Sequence, residues 1–349
     1  MPSSFIDSPP NDATITEEPG DGVQERERLG IGSTVVSRYK VVARLSKGTF
    51  GHVYEGEDTY TKKPVALKVL MAKHSNIALR EKRSLWLLNK DECKYVARML
   101  EFLVLDEWAM GHQPKHVIIF PKYEENLYQY SRAAQRAADS DTRGLSYRIQ
   151  KQALTDLLRG LVFIHEHGLM HLDIKPENIV LNKTNPRPNW TIIDFGNSER
   201  NHQLDVYYEA VTPWYRAPEI CVGAKYTEKA DMWSVGCIIY EIEAGTPLFS
   251  VEGSARVLQR HFEELGAPPN EFMNLSLPPR TTTLTHVERG PDGEIVYAGA
   301  PSERRRRGVP TLSRTWQLKK HCLACLRWMP SERPSAKTLL TCIEQEVAE

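Results

Sequence analysis

The sequence predicts an α+β chain in two parts, a smaller strand-bearing region followed by a larger helical one. Apolar residues repeat in strand-like runs up to about Tyr123, and beyond it the period lengthens to 3.6. The chain has 349 residues and 41% hydrophobic content, enough for a large buried core.

In chain order, Met1 to about Ser33 is rich in Ser, Pro, Gly, Asp and Glu and poor in aromatics. This composition predicts a disordered tail, bounded at residues 1–35, because such a segment buries too little apolar surface to offset its ordering entropy. Tyr39-Lys40-Val41-Val42 and Val53-Tyr54 read as strands flanking Leu45-Ser46-Lys47-Gly48-Thr49-Phe50-Gly51-His52. Gly48 and Gly51 let a hairpin backbone approach phosphate oxygens with no Cβ in the way, although taken alone the hairpin also reads as an ordinary turn. Val65-Ala66-Leu67-Lys68-Val69 is a short β-rich run, and a lone lysine there also reads as solvent-facing. Ile77 to Asn89 predicts a helix with Leu79, Arg83 and Trp86-Leu87 on one face. Glu81 lies on that helix, either as a partner for Lys68 or as a surface residue balancing Arg80 and Lys82, with Arg83 competing for it. His116-Val117-Ile118-Ile119-Phe120-Pro121-Lys122-Tyr123 reads as a buried strand ended by a proline, which offers a carbonyl but no N–H. Leu154, Leu157, Leu158, Leu161, Ile164 and His165 then form the stripe of a long helix ending near Gly168. Asp231 to Gly236 opens another helix, to about Gly245.

Two short stretches carry the chemistry. His171-Leu172-Asp173-Ile174-Lys175-Pro176-Glu177-Asn178 places an aspartate, a lysine and an asparagine in one loop. Asp194-Phe195-Gly196 places a second aspartate after the apolar pair Ile192-Ile193, with a glycine behind it. Phosphoryl transfer needs such a set. One carboxylate receives the proton of the attacking hydroxyl, a second carboxylate and an amide oxygen hold Mg²⁺ on the phosphates, and a cation offsets charge on the group in flight.

These stretches resemble the catalytic loop and metal loop of eukaryotic protein kinases. Further motifs in family order, from about Arg38 to Gln345, extend the resemblance: the Gly-rich hairpin, the Lys68 strand, Thr212-Pro213-Trp214-Tyr215-Arg216-Ala217-Pro218-Glu219, Asp231 to Gly236, and Arg327 to Ala336. The resemblance implies a two-lobe fold, with a small antiparallel β-sheet N-lobe bearing one helix (36–123) and a larger, mainly α-helical C-lobe (124–349). It implies ATP and Mg²⁺. Catalytic roles fall to Asp173 and Lys175, with Lys68 reaching the α- and β-phosphates and pairing with Glu81. Asn178 and Asp194 are the implied metal ligands. ATP contacts fall to Leu45, Gly48, Gly51, Val53, Ala66, Lys68, Phe120, Pro121, Tyr123 and Val180, with Ile193 beside the ring; the apolar ones also read as plain core residues. Asp231 would hold the catalytic-loop backbone, and Arg333 would pair with Glu219. Ser46 stands where the family pattern has its first glycine, and Leu172 where many members have arginine.

Lys+Arg and Asp+Glu both number 45, so the formal net charge is zero and no nucleic-acid footprint is expected. No secretory apolar region or membrane-length run is present, so an intracellular location, cytoplasmic or nuclear, and no membrane association are expected. The scattered cysteines fit a reducing interior, and Cys322-x-x-Cys325 beside His321 reads as small residues on one helical face rather than a zinc site. An irregular insert spans about 276–313 and carries Arg304-Arg305-Arg306-Arg307, a solvated loop or an import or docking signal.

Lys175 after Asp173-Ile174 resembles serine/threonine kinases. Trp214-Tyr215-Arg216, Asp231 to Cys237 and Glu264-Leu265-Gly266-Ala267-Pro268-Pro269 resemble the CMGC group of cyclin-dependent, MAP and Clk/dual-specificity kinases. Ser37 to Val42 and Leu172 lean towards the Clk and dual-specificity branch, although the Clk signature Glu-His-Leu-Ala-Met-Met-Glu-Arg is absent. The expected partner is a protein or peptide substrate, with proline after the phosphorylated residue as a further expectation; no cyclin-binding signature precedes Glu81. The alternative reading is a pseudokinase scaffold, suggested by Ser46 and Leu172. Leucine at 172 and the acidic Glu199 give a phosphate on Tyr207, Tyr208 or Thr212 a poorer receiving pocket unless Arg80 or Arg83 reaches it, so the segment is expected to be ordered by its own contacts and the unphosphorylated enzyme to be substantially active.

Overall fold

The computed structural model describes residues 29–48, 50–105, 115–137, 144–200, 212–251, 256–273, 287–289, 295–297 and 316–346. The chain divides into two compact units, the first comprising residues up to Lys82 with Arg98–Lys122, the second Arg83–Ala97 with Tyr123–Glu349.

The first unit is built on an antiparallel sheet of strands β1 (Thr34–Val35), β2 (Tyr39–Lys47), β3 (Gly51–Asp58), β4 (Pro64–Leu70), β5 (Glu101–Leu105) and β6 (Lys115–Pro121), in the order β1-β2-β3-β4-β6-β5. Burial along β3 and β4 alternates with the side-chain period of two. One face of the sheet packs Tyr39, Val41, Tyr54, Val65, Leu67 and Ile119 into a core. Arg38 fastens the sheet's far end, its guanidinium donating to both carboxylate oxygens of Asp58 (3.1 and 2.8 Å) and to Glu101 (3.2 Å).

Two expectations are corrected here. The tail predicted over 1–35 ends earlier: Thr34–Val35 pairs with β2, Val35 is in the core, Leu29 packs against it, and the Leu29 N–H donates to the Tyr54 hydroxyl at 3.2 Å. A polar average over the segment conceals these apolar anchors. Residues 1–28 lie outside the described residues. Helix α1 (Ser75–Leu88) starts before Ile77, and its buried face is Ala78, Glu81, Ser84, Leu85 and Leu88. Leu79, Arg83 and Trp86 do share one face, and it is the exposed one, with Leu87 half-buried beside it; the buried stripe includes a charged and a hydroxyl residue that hydrophobicity alone does not count.

In the second unit, α2 (Leu127–Ala137) and the long α3 (Tyr147–Glu166) precede β7 (Leu169–Met170), β8 (Ile179–Asn182), β9 (Asn189–Ile192) and β10 (Glu199–Arg200). Strands β8 and β9 pair, as do β7 and β10. The predicted α3 stripe from Leu154 to Ile164 is buried. There follow α4 (Pro218–Cys221), α5 (Lys229–Ala244), α6 (Val257–Leu265), α7 (Asn270–Met273), β11 (Val287–Arg289), β12 (Ile295–Tyr297), α8 (Lys319–Cys325) and α9 (Ala336–Gln345). Gly245 ends α5 in the left-handed conformation, φ 75°, that glycine adopts without a Cβ penalty. The insert expected to be irregular contains the antiparallel β11–β12 ladder; its remainder, with Arg304 to Arg307, lies outside the described residues. Cys322 and Cys325 on α8 are buried, Cys322 Sγ lying 3.4 Å from the Gly236 carbonyl of α5. Burial pushes the Cys325 thiol up to about 12, and both cysteines pack against α5.

Arg333 is the hub of this unit. Its guanidinium makes a bidentate pair with Glu219, both contacts 2.7 Å and both side chains fully buried. The remaining N–H groups donate to the carbonyls of Arg327, Lys229 and Trp328 (2.8, 2.9 and 3.2 Å). The cation also lies 5.1 Å from the Trp233 ring centroid. Beside it His261 is enclosed by Trp233, Phe249 and Trp328, and neither ring nitrogen has a hydrogen-bond partner among the described residues.

Breaking the buried pair strands a carboxylate, so Arg333→Ala is expected to cost about 3–5 kcal/mol in a denaturant titration. Arg333→Lys should recover only part of it, since an ammonium lacks the planar fork. Burial, then Arg333 and Arg216, push the His261 imidazole down to about 3. Its unfolded value is about 6.5, so the unfolded chain binds the extra proton first and stability falls as pH drops below about 6.5. Between pH 7 and 5 this group should remove about 2 kcal/mol of stability. Urea titrations of wild type and His261→Asn check this: the difference between them should shrink towards acid pH, and a constant difference would contradict it.

Candidate active site

The register of the sheet brings several of the predicted nucleotide residues onto one face. Val53 lies opposite Lys68, Lys68 opposite Ile118, and Ala66 opposite Phe120, so all five share the face opposite the Leu67–Ile119 core. Val53, Ala66 and Lys68 are half-buried there. Ile118 was not among the expected residues, although it sits a strand period before Phe120. Pro121 closes β6, while Leu45 on β2 is exposed. In the same unit, Lys68 Nζ donates to both carboxylate oxygens of Glu81 at 2.8 and 2.7 Å. Glu81 is fully buried, and the competing Arg83 is exposed.

The two glycines differ. A Cβ on Gly51 would fall on the Val69 carbonyl oxygen, so this glycine serves the close approach of β3 to β4. A Cβ on Gly48 would meet nothing nearer than the Gly51 carbonyl at 3.9 Å, leaving Gly48 the backbone position open to a ligand.

In the second unit, the loop after β7 is shaped by Asp231. Its carboxylate accepts the backbone N–H of His171 (2.9 Å) and of Leu172 (2.8 Å) and lies 2.8 Å from His165 Nε2. Burial alone would push this carboxyl up; His165 and the loop N–H groups more than offset it and hold it below the usual range. Leu172 takes φ 64°, a left-handed conformation rare for a bulky residue. His171 accepts the Asp173 N–H at Nδ1 (3.2 Å) and donates from Nε2 to the Ile193 carbonyl (3.0 Å), which fixes its tautomer.

Asp173 is the centre of the loop's polar contacts. Asn178 Nδ2 donates to its carbonyl (2.8 Å) and to Oδ2 (3.1 Å). Lys175 Nζ lies 3.1 Å from Oδ2. The Thr212 hydroxyl donates to Oδ1 at 2.8 Å and accepts from Lys175 Nζ at 2.7 Å. Burial pushes the Lys175 ammonium down, but Asp173, Glu177 and Asp194 prevail and hold it up. Thr212 was expected only as part of the Ala-Pro-Glu segment and as a phosphate acceptor; its hydroxyl engages the loop directly, a role its sequence position alone does not reveal. Asp194 sits at φ 65°, with the Gly196 N–H donating to its Oδ1 (3.3 Å).

Phe195 is fully buried against His171, ring centroids 4.9 Å apart. Tyr123 is half-buried at the start of this unit, and Val180 is buried on β8, where it bridges Asn126. Tyr215 donates to Glu241 at 2.6 Å, and burial pushes the Glu241 carboxyl up to about 8. Glu199 accepts the Tyr226 hydroxyl at 3.0 Å. The candidate phosphate acceptors Tyr207 and Tyr208 lie outside the described residues.

As donors for a metal, Asp194 and Asn178 fit a hard oxygen-seeking cation: Asn178 uses its amide nitrogen on Asp173 and keeps its oxygen available. Among the described residues no group of three or more His, Cys, Asp or Glu side chains could hold a metal alone. A magnesium ion that keeps its waters and takes phosphate oxygens needs only one or two protein carboxylates.

Comparison with known proteins agrees with this arrangement. The profile of the protein kinase domain matches residues 39–342. The chain is similar to the human dual specificity tyrosine-phosphorylation-regulated kinase 3, 30% identical over 322 residues, covering 85% of this chain and 52% of that protein. It is similar to the probable serine/threonine-protein kinase dyrk2 of Dictyostelium discoideum, 29% identical over 312 residues, covering 87% and 32% respectively. It is also similar to the dual specificity protein kinase YAK1 of Saccharomyces cerevisiae, 31% identical over 244 residues, covering 68% and 28%. The chain thus spans about half or less of the length of these relatives. With the lysine–glutamate pair, the anchored catalytic loop and the match along most of its length, the chain belongs to the protein kinase domain family, among relatives of the CMGC group.

Proposed function

We propose that this protein is an active kinase transferring the γ-phosphoryl group of ATP, with Mg²⁺, to Ser/Thr hydroxyls of protein substrates. The observation that carries the reading is the contact set Asp173–Thr212–Lys175, in which Asp173 Oδ1 accepts a hydrogen bond from a hydroxyl at 2.8 Å beside a cation. A substrate hydroxyl presented there is oriented by Asp173, which receives its proton; Lys175 offsets negative charge at the same point. Asn178 and Asp194 are the residues that would hold Mg²⁺, which when bound neutralises phosphate charge. Lys68, fixed by Glu81, binds the α- and β-phosphates. Val53, Ala66, Ile118 and Phe120 give the adenine an apolar face, with Leu45, Pro121, Tyr123 and Val180 as its other contacts, while the hairpin of Gly48 and Gly51 approaches the phosphates. Pro213 stands where MAP-type sequences have arginine, so proline after the acceptor is a secondary part of the proposal.

The test is phosphotransfer from Mg-ATP to degenerate peptides fixed at Ser, Thr or Tyr, with the tyrosine arm included because relatives carry the name dual specificity. Ser and Thr peptides are expected to be modified well above Tyr. Asp173→Asn keeps shape and loses basicity, so kcat should fall by about 10²–10⁴-fold with ATP affinity little changed. Near-full activity in the variant would mean that the loop is misassigned, and no phosphotransfer by wild type would favour the scaffold reading.

Metal dependence gives a separate check. At about 100 Kd of nucleotide, binding stabilises the fold by about 2.7 kcal/mol, readable as a thermal shift. That shift should depend partly on Mg²⁺ in wild type and lose this dependence in Asp194→Ala. A shift indifferent to both metal and substitution would remove Asp194 from the metal role.

A further inference from the structure

We propose that the outward face of helix α2 is a substrate subsite, taking a phosphate that the protein substrate already carries near its acceptor residue. The proposal rests on the phosphotransfer reading above and names the substrate class. Tyr128, Gln129, Arg132, Gln135 and Arg136 line a groove of about 410 Å³. Their spacing places them on one side of the helix. The other side is committed to packing: Leu127 and Ser131 are buried, and Tyr130 lies edge-on to Trp190 with centroids 5.4 Å apart. Helix α2 carries no aspartate or glutamate along its length. Arg132 donates to the Gln135 amide oxygen at 3.3 Å, and Arg136 Nε to the Arg132 carbonyl at 3.2 Å. Neither guanidinium meets a carboxylate among the described residues, so most of their N–H donors are left for a ligand.

The groove is tied to the Asp173 loop by the way α2 is held. The helix packs against the Pro176–Asn178 turn of that loop. Asn126 and Gln129 fix its start, each side chain accepting the other's backbone N–H at 2.8 and 3.1 Å. The Gln135 amide fixes its far end on the Gly245 carbonyl at 3.1 Å. The helix is about 16 Å long, so about five extended residues carry a substrate chain from the turn across the groove. Charge then selects the ligand. Arginine forks match phosphate oxygens bidentately, and a phosphoserine brings about −1.5 to −2 charges against about −1 for an aspartate. The nearest acid opposes this little: burial raises the Glu241 carboxyl to about 8 against the pull of Tyr215 and Arg132, leaving it mostly uncharged at neutral pH. Two arginines are too small a footprint for nucleic acid, which is held through many phosphates, and they would repel a metal cation.

The test uses the full chain and serine peptides in which phosphoserine, aspartate or alanine stands in turn at each position within about six residues of the acceptor, a reach of about 20 Å. At the best position, KM for the phosphoserine peptide should lie about tenfold below that for alanine, equivalent to about 1.4 kcal/mol, with kcat alike and aspartate between them. Arg136→Glu, which reverses one charge at an exposed position, should invert that ratio, and Arg132→Gln should shrink it. The same peptides with the acceptor serine replaced by alanine, followed by fluorescence anisotropy without ATP, give a readout independent of turnover. Binding that depends on phosphoserine and Arg136 in a protein that transfers no phosphoryl group would sink the catalytic reading and keep the groove. Equal KM and equal binding for phosphoserine and alanine at every position would overturn the proposal. So would a phosphoserine preference that survives both substitutions, since the phosphate would then be held elsewhere.

Discussion

The Asp231 carboxylate is the constraint on which the second unit's chemistry depends. It is wholly buried, yet it accepts two backbone N–H groups from consecutive residues, His171 and Leu172, and faces His165. Only a turned chain can aim two successive N–H groups at one carboxylate, and Leu172 provides the turn at φ 64°. A left-handed conformation costs a bulky residue about 1–3 kcal/mol, whereas two hydrogen bonds to a charged acceptor contribute about 3–6 kcal/mol. The bonds win, and the loop is held in a conformation its own sequence does not favour. Asp173 immediately follows, so its position is set from the carboxylate outward.

A second constraint works from the opposite end of the same unit. Arg333 satisfies all of its donors on Glu219 and three carbonyls, tying α4 to the start of α5 and to the segment before α9. Helix α5 begins with Asp231's neighbourhood and carries Trp233 under the Arg333 cation. Ser234 on the same helix donates to the Tyr215 carbonyl at 2.8 Å, and Tyr215 donates to Glu241 a few turns on. One helix therefore positions both the Asp173 loop, through Asp231, and the segment leading from Thr212, through Ser234 and Glu241. The Thr212 hydroxyl then meets Asp173 because both of its supports share α5.

The sequence made legible whatever combines charge with a fixed local setting. Glu81 was placed opposite Lys68, Asp231 beneath the loop and Arg333 against Glu219 because each is a charged residue in a motif of definite order. Hydrophobic patterning did less well on α1, whose buried stripe contains Glu81 and Ser84. A helix that buries a carboxylate is hard to orient when only apolar residues are counted. The β1 strand and Leu29 were hidden by a polar surrounding sequence, and Gly51 by the ambiguity of glycine itself. Its requirement is the Val69 carbonyl across the sheet, a contact between strands that no local pattern records. Thr212 was visible as a residue but not as a contact, since its partner lies 39 positions away.

The Lys68–Glu81 pair is one that the economy of folding does not account for. Glu81 is fully buried and Lys68 is largely so, with both carboxylate oxygens engaged. Desolvating such a pair costs several kcal/mol per ion, and apolar residues of similar volume are often neutral or stabilising in its place. Stability therefore gives little reason for a glutamate on the buried stripe of α1 or for a lysine on the half-buried face of β4. What the pair does supply is direction. A lysine has a long, flexible stem and a point charge, and without a partner its ammonium would sample many positions. A buried, bidentate acceptor confines it, on the sheet face that also presents Val53, Ala66, Ile118 and Phe120. The same inversion explains why hydrophobicity misreads this helix: the residue that breaks its apolar pattern is the one that fixes the cation.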